Sequence, residues 1–138
     1  NLDLFLGKVQ GTKGKRSMEE FWRDERYLFF NKIRSNFIIT CHHLDDAVET
    51  WIMSSMHGNC KLIPYKRGQN IYRPFLMTSK KTIKEYSKRK DLVWVEDPTN
   101  ETTEYIRNHI RHNLMPGILK VNPGIRTMIR KKILETYL

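Results

Sequence analysis

The chain has 138 residues, of which 25 are Lys or Arg and 15 are Asp or Glu, so its formal net charge is +10. This length fits one domain with a single core, and 39% hydrophobic residues argue against disorder. No apolar run approaches the roughly 20 residues needed to span a bilayer, so no membrane association is predicted. The basic excess favours a polyanionic partner, although a solvated basic surface is the simpler alternative.

The two cysteines, Cys41 and Cys60, lie far apart and form no Cys-x-x-Cys pattern. They therefore predict neither a disulfide framework nor a four-ligand zinc site, and both fit a reducing cytoplasm. We expect Cys41 to be buried in a strand and Cys60 to lie in a loop. Cys41, His42, His43 and Asp45 are close together in sequence, but adjacent residues at a strand end rarely converge on one zinc ion.

The first third of the chain predicts one strand and one helix. Residues 2–9 alternate loosely in polarity, which favours a strand, and residues 13–16 form a basic connector. Ser17 and Glu20 have the spacing of a capping box, which opens a helix that continues to about Ile33. The apolar residues spaced for one face of this helix are Met18, Phe21, Trp22, Leu28 and Phe29.

The centre of the chain predicts a buried strand over residues 37–41 and a helix over residues 45–56. In open α/β sheets, ligands bind outside the carboxyl ends of the strands. Asp46 and Glu49 follow this strand end and share one face of the helix because they are three residues apart. Two acids there suit Mg²⁺ bound to a phosphate-bearing substrate. The alternative is a helix start that favours acids because of its dipole.

The next segment predicts a loop, a short strand and a basic helix. Residues 61–69 are rich in Lys, Arg, Pro and Gly, and residues 71–73 form a short strand. Thr78 or Ser79 caps a helix over residues 80–89, with Ile83 and Tyr86 facing inward. The basic residues expected to face outward are Lys80, Lys81, Lys84, Lys88, Arg89 and Lys90.

The last third predicts two amphipathic helices. Residues 92–95 favour a short strand or an extended segment, and residues 96–100 favour a turn. The first helix starts at Thr103 and the second ends at the last residue. The predicted helices cover 103–114 and 125–138, and the predicted breaks lie at 115–117 and 122–124.

Four short blocks occur in a fixed order. They read HHLDDAVET at 42–50, RPFL at 73–76, WVEDPTN at 94–100 and RNHIRHNLMP at 107–116. Taken in this order, they resemble the second half of the catalytic domain of tRNA(Ile)-lysidine synthetases, which are PP-loop enzymes of the N-type ATP pyrophosphatase group. The resemblance covers roughly residues 17–120. Each block alone is a weak indicator, whereas four in order are specific.

The resemblance implies an α/β fold with parallel strands flanked by helices, as in a partial PP-loop domain of the adenine nucleotide α-hydrolase type. That domain would cover residues 1–120, and residues 121–138 would form a linker helix. The Ser-Gly-Gly-x-Asp-Ser loop of the family does not occur, and residues 11–15 lack the Walker spacing. We therefore expect a missing N-terminal segment, or a second chain, to supply the ATP loop.

The resemblance also implies a reaction, in which ATP activates the wobble cytidine of tRNA(Ile) by adenylation and free lysine is then joined to it. The expected ligands are tRNA, lysine, ATP and Mg²⁺. The implied catalytic residues are Asp46, Glu49, Arg107 and Arg111, with Asp46 and Glu49 also contacting Mg²⁺. The residues expected to bind substrate or nucleotide are His42, His43, Asp45, Arg73 and Asn108.

Several of these residues have structural alternatives. Arg107 or Arg111 would otherwise pair with Asp97 or Glu104, and Asp45 would otherwise cap its helix. One of the two histidines at the strand end is expected to be structural. In each alternative, the side chain stabilises the fold and does not contact a substrate.

Three wider alternatives also stay open. The basic face of the helix over 80–89 is either a solvated face or a surface for the tRNA backbone. Tyr72, Trp94 and Tyr105 are candidates for stacking on RNA bases, although a core position is the simpler expectation. The whole chain is alternatively a non-catalytic RNA-binding or regulatory remnant, or a PP-loop ligase that acts on another base.

Overall fold

A computed structural model describes residues 3–33, 35–101 and 105–137. The chain divides into two compact units, Asn1–Ile38 and Ile39–Leu138. Within the described ranges, no helix is long and apolar enough to cross a membrane. The candidate site lies in the second unit.

The first unit contains helix α1, Met18–Lys32, as predicted. Ser17 caps it, because its Oγ accepts a hydrogen bond from the Glu20 amide at 3.1 Å. Phe21 is the one buried residue described in α1, and most of the predicted apolar face is exposed. The strand predicted over residues 2–9 is wrong for its described part, residues 3–9, which are exposed and form no strand. A lone extended segment without a pairing strand has no ladder to join.

A small mixed sheet opens the second unit, with strand order β1-β3-β2. The strands are β1 (Ile38–Ile39), β2 (Lys66–Arg67) and β3 (Ile71–Tyr72). β2 and β3 are antiparallel, and Gly68 makes the turn between them with a φ of +59° that favours glycine. The Thr40 amide donates to the Tyr72 carbonyl at 2.9 Å beside β1. The α/β class is confirmed, whereas the strand inside the predicted loop over 61–69 was not foreseen.

The predicted strand over 37–41 is shorter than expected. Only Ile38–Ile39 is assigned to β1, and Phe37, Ile39 and Cys41 are exposed. The expectation that Cys41 is buried is therefore wrong, whereas Cys60 lies in a loop as predicted. An apolar run shows that a segment is extended and β-prone, but burial requires a packing partner on each face.

The core of the second unit forms around helix α2, Leu44–Ser55, which packs against helix α6, Ile125–Tyr137. α2 begins within a residue of its predicted start. One face of α6 is buried against α2, so this helix contributes to the core, and the linker expected over 121–138 stays a prediction. The buried core residues are Leu44, Ala47, Val48, Ile52, Ile63, Leu76, Ile110, Met115, Ile125, Ile129 and Ile133.

The helix predicted over 103–114 was expected to end before Pro116, but the helical run continues past this residue to Val121. It consists of α4 (Ile106–His109), a π-helical turn (Ile110–Leu114) and α5 (Met115–Val121), and Thr103 lies outside the described residues. The predicted break at 115–117 is wrong because Pro116 falls in the first turn of α5, where a missing N–H costs little. The break at 122–124 is confirmed, since α5 ends at Val121 and α6 starts at Ile125.

Helix α3, Lys80–Arg89, is confirmed with Ser79 as its cap. It follows a short 3₁₀ helix, Pro74–Met77. Tyr86 was predicted to face inward but is about half exposed. Residues 92–95 were expected to form a short strand or an extended segment, and the structure excludes the strand because these residues are exposed and form no ladder. The turn over 96–100 is confirmed and leads into a second 3₁₀ helix, Pro98–Glu101.

Candidate active site

The start of α2 is held by a reciprocal cap. His43 Nδ1 accepts a hydrogen bond from the Asp46 amide at 3.3 Å, and Asp46 Oδ2 accepts one from the His43 amide at 2.9 Å. This capping box satisfies two amides that have no partner inside the helix. It also requires an unprotonated Nδ1 on His43. His43 and Asp46 therefore form the cap of α2, for which Asp45 was the alternative candidate.

One turn further along α2, Glu49 forms a buried ion pair with Arg111. Glu49 is 3% exposed. Its Oε1 accepts from Arg111 Nε at 2.8 Å, and its Oε2 accepts from Arg111 Nη2 at 3.0 Å. Two parallel hydrogen bonds of this kind fix the plane of the guanidinium as well as its position. These bonds raise the pKa of Arg111 above its ordinary value, despite the opposing effect of its partial burial.

Arg111 also reaches Asp46 and the turn before α4. Its Nη2 lies 3.9 Å from Asp46 Oδ1, and its Nη1 donates to Asn100 Oδ1 at 3.4 Å. The neighbouring His112 Nε2 lies 2.8 Å from the Asn100 carbonyl oxygen. Asn100 therefore connects the 3₁₀ turn to the π-helical turn that carries Arg111.

Asp45 divides its two oxygens between two other elements. Oδ2 accepts from the Lys80 amide at the start of α3 at 2.7 Å, and Oδ1 accepts from Arg126 Nε on α6 at 2.8 Å. Burial opposes ionisation of the carboxyl, but the Lys80 amide and the Arg126 guanidinium together hold the Asp45 pKa below its ordinary value. Asp45 thus ties α2, α3 and α6 together.

These side chains surround a small cleft of about 130 Å³. It carries both signs of charge, so a polar ligand with phosphate and amine groups suits it better than an apolar one. The cleft is lined by His43, Asp45, Glu49, Lys80, Arg111, Met115 and Arg126. We call it the α2 cleft.

The two predicted Mg²⁺ ligands, Asp46 and Glu49, differ in whether a carboxylate oxygen is available to bind a cation. Both oxygens of Glu49 are occupied by Arg111, so Glu49 would bind a cation only if that pair opened. Asp46 Oδ1 accepts no hydrogen bond from a described residue. Among the described residues, no group of three His, Cys, Asp or Glu side chains is arranged to hold a metal. One carboxylate with substrate phosphates and waters is nonetheless a common way to hold Mg²⁺, so Asp46 fits and Glu49 does not in this arrangement.

Asp46 lies next to Arg111 but does not line the α2 cleft, and the other four predicted site residues also lie outside its lining. Arg73 is 2% exposed, and its Nη1 donates to the Pro64 carbonyl at 2.6 Å, which makes it part of the fold. His42 Nδ1 lies 3.0 Å from Thr40 Oγ1. Asn108 is buried and Arg107 is partly buried on α4. The structure therefore groups part of the predicted set, namely His43, Asp45, Asp46, Glu49 and Arg111.

Sequence reasoning missed Lys80 and Arg126 as members of this cleft. Arg126 lies 81 positions from Asp45 in the chain, and no motif connects the two. Lys80 was assigned to an outward basic face, and its backbone amide rather than its ammonium holds Asp45. The one available indication for Arg126 was a cation at the start of a helix, where the dipole disfavours it unless an acid is near.

The sequence that forms this α/β fold and its charged cleft is similar to a known protein family. A family model described as a PP-loop domain matches residues 1–118. The chain therefore belongs to the PP-loop domain family, and the resemblance drawn from the four sequence blocks is confirmed.

Curated proteins similar to this chain include several tRNA(Ile)-lysidine synthases. The one from Persephonella marina is 39% identical over 134 residues, covering 90% of this chain and 30% of the relative. That of Haemophilus ducreyi is 31% identical over 140 residues (95% and 32%), and that of Staphylococcus aureus strain N315 is 35% identical over 132 residues (86% and 31%). The chain thus spans less than a third of the length of these relatives.

Proposed function

We propose that this chain carries part of the active site of a tRNA-modifying ligase, which joins lysine to the wobble cytidine of tRNA(Ile) at the expense of ATP. The observation that carries the proposal is the approach of Arg111 to Asp46, at 3.9 Å, in a chain similar to tRNA(Ile)-lysidine synthases. An N-terminal segment or a second chain supplies the ATP loop in this proposal. The reaction takes place in the cytoplasm.

The reaction needs activation because the ring carbonyl oxygen of cytidine is a poor leaving group. In the proposed sequence, this oxygen attacks the α-phosphate of ATP, and pyrophosphate leaves. The lysine amine then attacks the ring carbon, AMP departs with the oxygen, and the amine loses a proton. Charge develops on phosphate oxygens in both steps, so fixed cationic donors stabilise the transition states.

Arg111 is the donor proposed to contact the phosphates. A guanidinium has five N–H groups, of which Glu49 takes two and Asn100 takes one. One N–H on each terminal nitrogen of Arg111 is left for phosphate oxygens. Glu49 then acts as a positioning residue, because its two hydrogen bonds orient the guanidinium before the substrate arrives.

Asp46 is proposed to hold Mg²⁺ through Oδ1, where the ion would neutralise charge on the ATP phosphates. The reciprocal cap supports this role, since Oδ2 is tied to the His43 amide and the carboxylate keeps one orientation. The catalytic role of Arg107 stays a prediction, as do the roles of Asn108, His42 and Arg73 in substrate binding. For Arg73, the hydrogen bond to the Pro64 carbonyl favours a structural role.

A second candidate is a non-catalytic RNA-binding or regulatory protein derived from this family. The observation that favours it is the closed Glu49–Arg111 pair, together with the formal net charge of +10. Phosphate contacts alone account for sequence-independent RNA binding. The two candidates differ in whether the α2 cleft turns over ATP.

A chimera tests the proposal without any assumption about where the protein begins. The matching segment of the Staphylococcus aureus relative is replaced by this chain, and lysidine is measured by mass spectrometry of nucleosides from tRNA(Ile). We expect the chimera to form lysidine. Asp46→Asn should lower the rate by on the order of 100-fold, because it removes the charge while the amide oxygen still accepts from the His43 amide.

Asp91→Asn is the matched control, since it removes one carboxylate charge at an exposed position with a φ of +50° that asparagine tolerates. It should leave the rate unchanged. Circular dichroism and thermal unfolding establish that each chimera is folded. A folded chimera that binds tRNA but forms no lysidine would contradict the ligase and favour the RNA-binding candidate.

A further inference from the structure

A second, open groove of about 560 Å³ lies beside the α2 cleft in the same unit. We call it the basic groove. Its cations are Lys80, Lys81, Lys84, Lys88 and Arg126. No apolar side chain lines the groove. The reaction proposed above does not account for the positive charge of its lining.

The two acids that line the basic groove are already engaged. Asp45 accepts from the Lys80 amide and from Arg126, and Glu85 lies 3.9 Å from Lys81 Nζ. Among the described residues, Lys88 forms no salt bridge, whereas Lys84 pairs with Glu96, an acid outside the groove lining. The pairs Lys81–Glu85 and Lys84–Glu96 are both exposed and weak, so an external anion could compete for either lysine. The surface therefore keeps a positive excess that an external anion would neutralise.

The spacing of the lysines suits a polymer rather than a single phosphate group. Lys80, Lys84 and Lys88 recur every four residues and so lie along one face of α3. At 1.5 Å per residue, this row is about 12 Å long. A row of that length meets successive phosphates of a nucleic-acid strand.

The basic groove borders the α2 cleft. Asp45, Lys80 and Arg126 line both. A strand whose target base entered the cleft would therefore carry its neighbouring phosphates along α3. An acidic protein is a poorer fit, because protein interfaces rely on buried apolar or aromatic anchors and none lines this groove.

We propose that the basic groove binds the backbone phosphates of the RNA strand that flanks the nucleotide in the α2 cleft. This inference rests on the proposed function and adds the path of the substrate strand to it. Contacts to phosphate position a nucleic acid without reading its sequence. The groove thus sets where the RNA lies, and recognition of the base is left to the cleft.

The test is a salt titration of RNA binding by the purified chain, without ATP or lysine. The probe is a fluorescein-labelled tRNA(Ile) transcript, compared with a scrambled RNA of the same length. Lys81→Gln/Lys88→Gln removes two groove lysines that do not line the α2 cleft. We expect weaker binding of both RNAs by several-fold and a salt slope reduced by roughly 0.7 to 0.9 for each lysine removed.

Lys120→Gln/Lys132→Gln is the matched control, because it removes the same charge from exposed positions on α5 and α6 outside the groove. It should change the affinity and the salt slope much less. Equal effects of the two double variants would overturn the proposal, as would an absence of RNA binding by the parent chain at low salt. Equal displacement of the RNA by poly-glutamate of the same charge would overturn it in favour of an acidic protein.

The readout separates this inference from the proposed function. In the active chimera, Lys81→Gln/Lys88→Gln should raise the KM for tRNA and leave kcat unchanged. A chimera that forms no lysidine would contradict the ligase activity, while the binding titration would still test RNA binding by the basic groove. Conversely, normal lysidine formation with an unchanged KM for tRNA would contradict RNA binding by the basic groove and would not contradict the ligase activity.

Discussion

Asp45 and Glu49 are carboxylates one turn apart on α2, and each binds an arginine from a distant part of the chain. Glu49 is almost fully buried and gives both oxygens to Arg111. The Asp45 side chain is 19% exposed and shares its oxygens between the Lys80 amide and Arg126. The first carboxylate belongs to a closed pair, and the second is a bridge between elements.

The difference shows that similar residues on one helix stabilise a fold in different ways. A buried ion pair costs much desolvation, so it contributes only while both partners are present. A bridging carboxylate that caps a helix satisfies an amide that has no intrahelical partner, and its loss leaves that amide open to water. We therefore expect substitutions at Glu49 to be the more damaging.

Glu49→Gln should have the largest effect, because Arg111 would keep its charge and lose its compensating carboxylate. The glutamine oxygen accepts one of the two hydrogen bonds, while its amide group opposes the other donor. We expect a loss of about 3 kcal/mol in the free energy of unfolding. Urea denaturation monitored by circular dichroism measures it.

Two companion variants isolate the contribution of the buried pair to stability. Glu49→Leu/Arg111→Met removes both charges and should recover part of the loss, since neither partner is left buried and alone. Glu135→Gln breaks the exposed pair with Lys131 and should cost less than about 0.5 kcal/mol. Equal stability of Glu49→Gln and Glu135→Gln would show that the buried Glu49–Arg111 pair contributes no more to the free energy of unfolding than an exposed pair does.

Asp45→Asn should have an intermediate effect. Asparagine accepts from either the Lys80 amide or Arg126, but its amide group repels whichever donor it faces. We expect a loss of about 1 to 2 kcal/mol, measured in the same way. Ser79→Ala removes the side-chain cap of the same helix and gives a reference for the value of a cap alone. A loss for Asp45→Asn no larger than that for Ser79→Ala would argue against a contribution from Arg126.

The smallest expected effect is a dependence on pH at Asp45. Its pKa is lowered in the folded state from an ordinary value of 3.8, so its contribution to stability is present above that value. The contribution is lost as the pH falls through the folded-state pKa. The stability difference between the parent chain and Asp45→Asn should therefore shrink below about pH 3.8. A difference that stays constant there would contradict the lowered pKa.

Local patterns predicted the helices better than the strands. α1, α3 and α6 start where a cap or break residue indicates, and α2 starts near its predicted position, since the capping residues lie next to the helices they start. The strand expected over residues 2–9 is absent from its described part, residues 3–9, the strand alternative for 92–95 is excluded, and β2 was missed. Pairing with a distant segment decides whether a β-prone run becomes a strand, and no local pattern contains that information.

By itself, the sequence determined the family, the helical framework and the presence of carboxylates at the start of α2. These features depend on order, composition and residues a few positions apart. The tertiary structure alone decided the partners of those carboxylates, because Arg111 lies 62 positions from Glu49 and Arg126 lies 81 positions from Asp45. Packing of α6 and the π-helical turn against α2 brings the arginines into reach. The physical reason is that a charge is satisfied by whichever opposite charge the packed core places beside it, and position along the chain does not indicate which residue that is.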